Sequence, residues 1–248
     1  MEHASDAKWI TLGHPSYVWR FGQDRRLALI QQYAALDDRW ILDVGCGIGT
    51  YVRKFRNFSN HVHGIDVDEE RVAAGGRDLP NLQVSASEHL PYPDNTFDVV
   101  VLNEVIEHVN DDRQTIAECL RVLQPGGKVV IFAPNRGYPF ETHGIYLGKR
   151  YIFRLIPFVN WLPNRLRGIF CPHVRAYYAG DIRGLFRAQP ARILHHSYVY
   201  PGFDNIVYDH PVLGRFLRRV CYTLEHTPFR AFGLSHYVVA EKVAAPAG

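Results

Sequence analysis

Two acids flank a glycine-rich run in this chain, and their spacing sets a chemistry before any fold is drawn. The run is Trp40-Ile41-Leu42-Asp43-Val44-Gly45-Cys46-Gly47-Ile48-Gly49-Thr50, and Gly64-Ile65-Asp66-Val67 follows it. Glycines at alternate positions let the backbone turn tightly and approach a ligand closely. Asp66, about twenty residues after Asp43 at the tip of a short apolar strand, is placed to accept hydrogen bonds from both hydroxyls of a ribose. Asp43, two residues before the first glycine, would repel a pyrophosphate, and Gly-x-Gly-x-Gly is one residue short of the dinucleotide spacing. The ligand these residues fit is a nucleoside carrying positive charge and no phosphate.

A second cluster lies at Asn103-Glu104-Val105-Ile106-Glu107-His108-Val109. If this segment begins a helix, Glu104, Glu107 and His108 fall at i, i+3 and i+4 and share one face. Two carboxylates and an imidazole so gathered could bind a divalent cation. Alternatively, His108 acts as a general base with Glu107 orienting it. An acid early in a helix also suits the macrodipole with no further role.

Strands must position both clusters. Phe97-Asp98-Val99-Val100-Val101-Leu102-Asn103 is a short apolar, β-branched run of the kind that forms a buried strand. Leu123-Gln124-Pro125-Gly126-Gly127 predicts a turn, and Lys128-Val129-Val130-Ile131-Phe132 a further strand. S-adenosylmethionine, with an ammonium group, a ribose and no phosphate, meets the demands of the glycine loop.

The stretches LDVGCGIG, GIDVDEERV, LPYPDNTFDVVVLNEVIEHV and LRVLQPGGKVVIFAPN resemble the class I S-adenosylmethionine-dependent methyltransferases, from Trp40 to Asn135 and less closely over Ser235 to Lys242. The resemblance implies an α/β, Rossmann-like, doubly wound seven-stranded sheet, mostly parallel with a reversed last strand, plus an inserted lid. It implies that Asp43, Gly45, Cys46, Gly47 and Gly49 line the methionine and ribose, that Asp66 takes the ribose hydroxyls, and that Val67 lies against the adenine. The adenine edge falls to Ala86, Ser87 and Glu88, where the family's usual acid is replaced by Ala86, and Asn103 should lie beside the methionine. The Glu-x-x-Glu-His pattern is similar to two metal-using branches, the ubiquinone-pathway O-methyltransferases and the enzymes that methylate the terminal 2′-hydroxyl of small RNAs. Both complete the site with a later histidine, here His143 or His173, and the segment Gly148 to Pro157 favours His173. Mg²⁺ or another divalent cation would then join Glu104, Glu107 and His108.

With 248 residues the chain is expected to be one methyltransferase domain: an N-terminal cap (1–38), a cofactor-binding core (39–137), a lid (138–175) and a C-terminal part of the sheet (176–242). The cap helix is expected around Asp24 to Leu36, with His14, Tyr17 and Arg20 covering the cofactor or simply packing, and Val243 to Gly248 as a frayed tail. The start of the chain lacks the basic and apolar regions of a secretory signal, and the four cysteines show no pair spacing, so a reduced cytoplasmic setting is expected. Cys46 fills a small-residue slot.

The second half carries specificity. Between Thr142 and Tyr200 nine Lys or Arg (149, 150, 154, 165, 167, 175, 183, 187, 192) stand against one acid, Asp181, among many aromatics. Three interpretations stay open: a lid over an apolar acceptor that docks on an anionic membrane surface, a nucleic-acid groove, or a lid core with a solvated basic face. The net charge of +3 is mild for nucleic acid. Tyr138, Tyr177, Tyr178, His195 and His196 are further base candidates; the last two, adjacent on a strand, must point to opposite faces. The expected activity is O-methylation of a small or lipid-like hydroxylated acceptor. Metal-assisted RNA 2′-O-methylation and non-catalytic cofactor binding, with S-adenosylmethionine or S-adenosylhomocysteine held structurally, are the alternatives.

Overall fold

Alternation of side chains along the strands builds two cores at once. The computed structural model describes residues 19–244; His14, Tyr17 and the last four residues lie outside it. The first half comprises α1 (Phe21–Tyr33), β1 (Ile41–Val44), α2 (Thr50–Phe55), β2 (Val62–Asp66), α3 (Glu69–Gly76), β3 (Leu82–Val84), β4 (Phe97–Asn103), α4 (Asp112–Val122) and β5 (Leu123–Pro134). Then come β6 (Phe140–Glu141), β7 (Ile145–Leu147), β8 (Arg150–Ile152), β9 (Ile156–Pro157), a 3₁₀ turn (Val159–Trp161) and α5 (Asn164–Phe170). The chain closes with α6 (Ala179–Leu185), β10 (Ala191–Val199), α7 (Asp204–Asp209), α8 (Pro211–Leu224), a second 3₁₀ turn (Pro228–Phe232) and β11 (Ser235–Lys242).

Seven strands form one sheet in the order β10-β11-β5-β4-β1-β2-β3. The pairs from β3 to β5 are parallel, and β11 runs antiparallel to both β5 and β10, so the last strand alone is reversed. Leu42, Val44, Val100, Leu102, Val129 and Ile131 point to the face covered by α4 and α6. Their neighbours Ile41, Val99, Val101, Val130 and Phe132 point to the face covered by α1 and α2. Each such fully buried side chain contributes about 1.5–3 kcal/mol of transfer free energy. The expected sheet, its doubly wound layers and its reversed strand are all present.

Two local expectations change. Leu123 to Gly127 is not a separate turn. It is a bulge inside β5, where the register with β4 jumps from Phe97↔Leu123 to Val99↔Lys128 and Gly126 takes a φ of +83°. The segment after Asn103 is not a helix: Glu104 adopts a left-handed φ of +57°, residues 104–110 form turns, and α4 starts only at Asp112, capped by the Asp111 carboxylate. Helix α1 lies a few residues earlier than expected, still burying Leu27 and Ile30.

The lid is its own small unit between β5 and α6. Strand β6 pairs with β9 and β7 with β8, over a cluster of Ile145, Val159, Cys171 and Val174. Its polar centre is the buried pair Arg167–Glu141 at 2.9 Å, with Arg167 also bonding the Asn160 side chain and the Val174 carbonyl. The Arg136 guanidinium donates to the carbonyls of Asn160 and Leu162. At the lid's two ends Asn135 and Tyr177 form a parallel bridge, with Tyr177 N–H bonded to Pro134 and Arg136 N–H to Tyr177. Of the basic residues here, Arg167 is internal framework, and Arg175 donates to the Val109 and Asn110 carbonyls.

Candidate active site

The glycine loop is shaped from beneath by its neighbours. Gly45 and Cys46 N–H groups both bond the Ile65 carbonyl at the end of β2. Gly45 has a φ of +73°, and a Cβ there would sit 2.4 Å from Val105 Cγ2, so only glycine fits between the two sheet-edge loops. At Gly47, itself buried, a Cβ would meet nothing within 4 Å among the described residues. Asp66 accepts hydrogen bonds from Gly47 N–H at 2.8 Å and Asp68 N–H at 2.9 Å, which fixes its carboxylate at the rim beside exposed Val67. Asp43 is buried beneath; burial and the nearby Asp66 push its carboxyl well above the ordinary range. Burial likewise raises the Cys46 thiol, with Asp43 and Asp66 adding to it, so this sulfur is a space-filler and no nucleophile.

The expected adenine edge is tied into the framework. The Ser87 hydroxyl bonds Thr115 at 3.0 Å, Glu88 accepts from the Asn110 and Asp111 amides, and Ala86 contributes its carbonyl to Ser85 and His89. The Ser87 and Glu88 side chains thus anchor the chain between β3 and α4.

A residue not singled out in the sequence organises the next layer. Arg26, on α1, donates to Glu104 at 2.6 Å, to Ser235 at 3.1 Å and to Asn103, and its guanidinium lies 4.8 Å from the Phe132 ring centroid. Ser235 also donates to Glu104 at 2.6 Å. The signal was present: Arg26 falls on the stripe of Gln23, Leu27 and Ile30 that α1 buries, where an unpaired arginine would not be tolerated. Burial alone would raise the Glu104 carboxyl, but Arg26, Ser235 and His143 more than offset it and hold it below the ordinary range.

Glu107 has the opposite fate. Both its oxygens are buried and make no hydrogen bond of good geometry to any described residue, and burial with the adjacent Glu104 charge drives its carboxyl well above the ordinary range. Facing it are two imidazoles: His108 Nε2 and His143 Nε2 each stand 3.9 Å from Glu107 Oε1. Glu141 orients His143 through Nδ1 at 3.1 Å; with that proton donated, Nε2 keeps its lone pair toward Glu107. Against its own burial, hydrogen bonds from His143 hold Glu141 down at about 2. Burial and the neighbouring His143 lower the His108 imidazole.

Glu107, His108 and His143 thus bring one potential ligand atom each to within 4.8 Å of one another, the group among the described residues that could hold a metal ion. Glu104 is drawn away by Arg26. His173 lies nearby but outside the group: its Nε2 bonds the His143 carbonyl at 3.3 Å, and its ring packs against Tyr146 and Tyr151. Of the two later histidines, it is His143 that the fold delivers. Among the other base candidates, Tyr177 bonds the Ile106 carbonyl, His195 bonds Tyr33 and Ser197, and His196 bonds His236, all framework contacts. Arg20 reaches Asn205 rather than the glycine loop.

Residues 42–131, from β1 to β5, match the methyltransferase domain family. Over these residues the chain carries a methyltransferase domain. Among curated relatives, a ubiquinone biosynthesis O-methyltransferase of Aromatoleum aromaticum is 32% identical over 139 residues, 53% of this chain and 59% of that protein. A probable S-adenosylmethionine-dependent methyltransferase of Mycolicibacterium smegmatis is 39% identical over 100 residues, 40% of this chain and 39% of the relative. The chain therefore spans 59% or less of the length of these relatives. A solved S-adenosylmethionine-dependent methyltransferase from Mesorhizobium loti shares the fold, with a TM-score of 0.61 at 18% identity, covering 87% of this chain and 96% of its own. The cyclase SpnF shares it too, with a TM-score of 0.57 at 20% identity over 90% of this chain and 82% of its own, so the methyltransferase domain's fold alone does not fix a reaction.

The site fits the family's cofactor. The Asp66 carboxylate and the Arg26 guanidinium next to Asn103 offer an acceptor for ribose hydroxyls and a cation for a carboxylate, and no described residue comes within 4 Å of a Cβ built at Gly47 between them.

Proposed function

We propose that this protein methylates a hydroxyl of a small or lipid-like acceptor, with S-adenosylmethionine as donor. The observation that carries this reading is the buried Glu107 carboxylate facing two imidazoles one turn beyond β4, on a loop whose Val105 touches the glycine loop. The cofactor supplies an electrophilic methyl group. The residues then have two tasks, alignment and proton removal. Asp66, Arg26 and the glycine loop hold the donor in place. His143, kept in one tautomer by Glu141, accepts the hydroxyl proton at Nε2, and His108 with Glu107 holds the hydroxyl between them. The exposed aromatics of the lid, among them Tyr151, Phe153 and Phe158, suit an apolar acceptor body.

A second reading adds a divalent cation. The buried Glu107 carboxyl needs a proton or a cation to offset its charge, and Glu107, His108 and His143 would hold such an ion. It would supply Lewis-acid polarisation of the acceptor oxygen. One carboxylate with two imidazoles suits manganese or zinc better than magnesium. Calorimetric titration of S-adenosylhomocysteine, followed by methyl transfer to catechols with EDTA, Mg²⁺ or Mn²⁺, tests both readings. Failure to bind the homocysteine product sinks the first; turnover indifferent to EDTA and added metal sinks the second.

A further inference from the structure

Helix α8 leaves an apolar stripe to the solvent. Gly214 lies against the backbone of Val207, where a Cβ would come within 2.5 Å of the Val207 nitrogen. On the same side Arg218 donates to the Gly202 carbonyl at 2.7 Å, pairs with Asp204 at 3.2 Å and covers the Phe21 ring, while Tyr222 takes the Arg25 guanidinium at 3.7 Å. The side bound to the protein thus carries Gly214, Arg218 and Tyr222, with Leu217 and Cys221 partly buried beside them. Val212, Phe216 and Val220, spaced by four residues and therefore in line, are 78%, 62% and 39% exposed, with Leu213 beside them at 51%. Water disfavours a continuous apolar stripe of this kind, so it marks a contact surface.

Charge identifies the contact. Exposed Arg215 and Arg219 border the stripe, and residues 211–224 contain no acid. Of the acids next to the helix, Asp204 is paired with Arg218 and Glu225 with Arg25, which leaves Asp209 before its start. The 3₁₀ turn that follows continues the surface: Phe229 and Phe232 are exposed, Phe232 meets Trp161 of the lid at 6.3 Å, and Trp161 meets Phe158 at 5.1 Å. An apolar stripe about 12 Å long, arginines along one border and exposed aromatics in the turn that follows are the features of a helix lying in a membrane interface. A second copy of the chain would set these arginines against one another.

We propose that α8 docks in the plane of an anionic phospholipid bilayer, Val212, Phe216 and Val220 entering the acyl boundary while Arg215 and Arg219 meet the phosphates. The helix itself, Pro211–Leu224, lies outside the basic stretch between Thr142 and Tyr200. Docking needs no catalysis, so its failure leaves methyl transfer standing. The test is sedimentation of the full chain with vesicles of phosphatidylcholine alone and of phosphatidylcholine with phosphatidylglycerol, across a salt series. The protein should pellet with the anionic vesicles only, and less as salt rises. Arg215→Gln and Arg219→Gln should each weaken partitioning about fivefold. Phe216→Asp with Val220→Asp should remove it, while its melting temperature and S-adenosylhomocysteine titration match those of the parent. Absence of pelleting overturns the proposal, as does pelleting that the double aspartate variant leaves unchanged. Self-association in the ultracentrifuge that this variant abolishes would assign the face to a second copy and also overturn it.

Discussion

The cofactor edge and the acceptor edge of the sheet are built on opposite terms. At the cofactor edge the rim carboxylate is satisfied locally: Asp66 is held by amides of its own and the adjacent loop, and the loop's shape comes from glycines within five residues. At the acceptor edge each group depends on distant chain. Glu104 is held by Arg26 from α1 and Ser235 from β11, and Glu107 is opposed by His143 from the lid. A satisfied rim can be rigid before ligand arrives, whereas the acceptor edge keeps an unsatisfied buried carboxylate that only a proton, a cation or a substrate hydroxyl can relieve. Readiness to bind and readiness to react are divided between two neighbouring loops.

Breaking the long-range side should have the largest effect. Arg26→Ala leaves Glu104 without its partner. Loss of one member of a buried pair costs about 3–5 kcal/mol, and here the lower end is expected because the side chains remain 16% and 29% exposed. Urea unfolding measures it, and a paired Arg26→Met, Glu104→Met variant should recover most of the loss. Asp66→Ala attacks the local side. Removing charge-assisted bonds to two hydroxyls should weaken S-adenosylhomocysteine by about 10²-fold in calorimetry. Unchanged affinity would remove Asp66 from the cofactor site.

Glu107→Gln sharpens the contrast through pH. The folded carboxyl keeps its proton above the ordinary value of 4.5, so the native state binds more protons than the unfolded chain and stability falls as pH rises from there. The slope is at most about 1.4 kcal/mol per pH unit for one proton. The glutamine variant should flatten it in unfolding curves at pH 5 to 8. Mn²⁺ should flatten it in the parent protein as well; if the metal leaves the slope untouched, the cation reading fails. Ser87→Ala should have the smallest effect, about 1 kcal/mol of stability through the lost Thr115 bond. Its cofactor affinity should be unchanged, and a drop in it would return the Ser87 side chain to the adenine edge.

The same division governs what the sequence reveals. The glycine loop, Asp66 at the end of β2, β4 and the Lys128–Phe132 part of β5 are local patterns, and each is found where its pattern predicts. The sequence also marks Glu107 and His108, though through a helix that does not form, since nothing local forecasts a left-handed glutamate at position 104. Choosing His143 over His173 required the folded lid, because the Glu141 carboxylate that orients His143 is itself fixed by Arg167 from α5. Arg26 needed only closer attention to the buried stripe of α1. The exposed stripe of α8 is invisible to periodicity, which reports that a helix has two faces but not which one meets the protein.

The bridge between Asn135 and Tyr177 gives the lid a modular character. Both ends of a forty-residue excursion leave and rejoin the core at neighbouring backbone positions, and lengthening such an excursion costs only about 0.6 kcal/mol per doubling. The lid can thus be exchanged for another of different length at a fixed docking point without rebuilding the sheet. Because His143 and its orienting Glu141 travel inside that cassette, a transplant would replace the pocket wall and the proton acceptor in one step, so acceptor choice and acceptor activation would be inherited together.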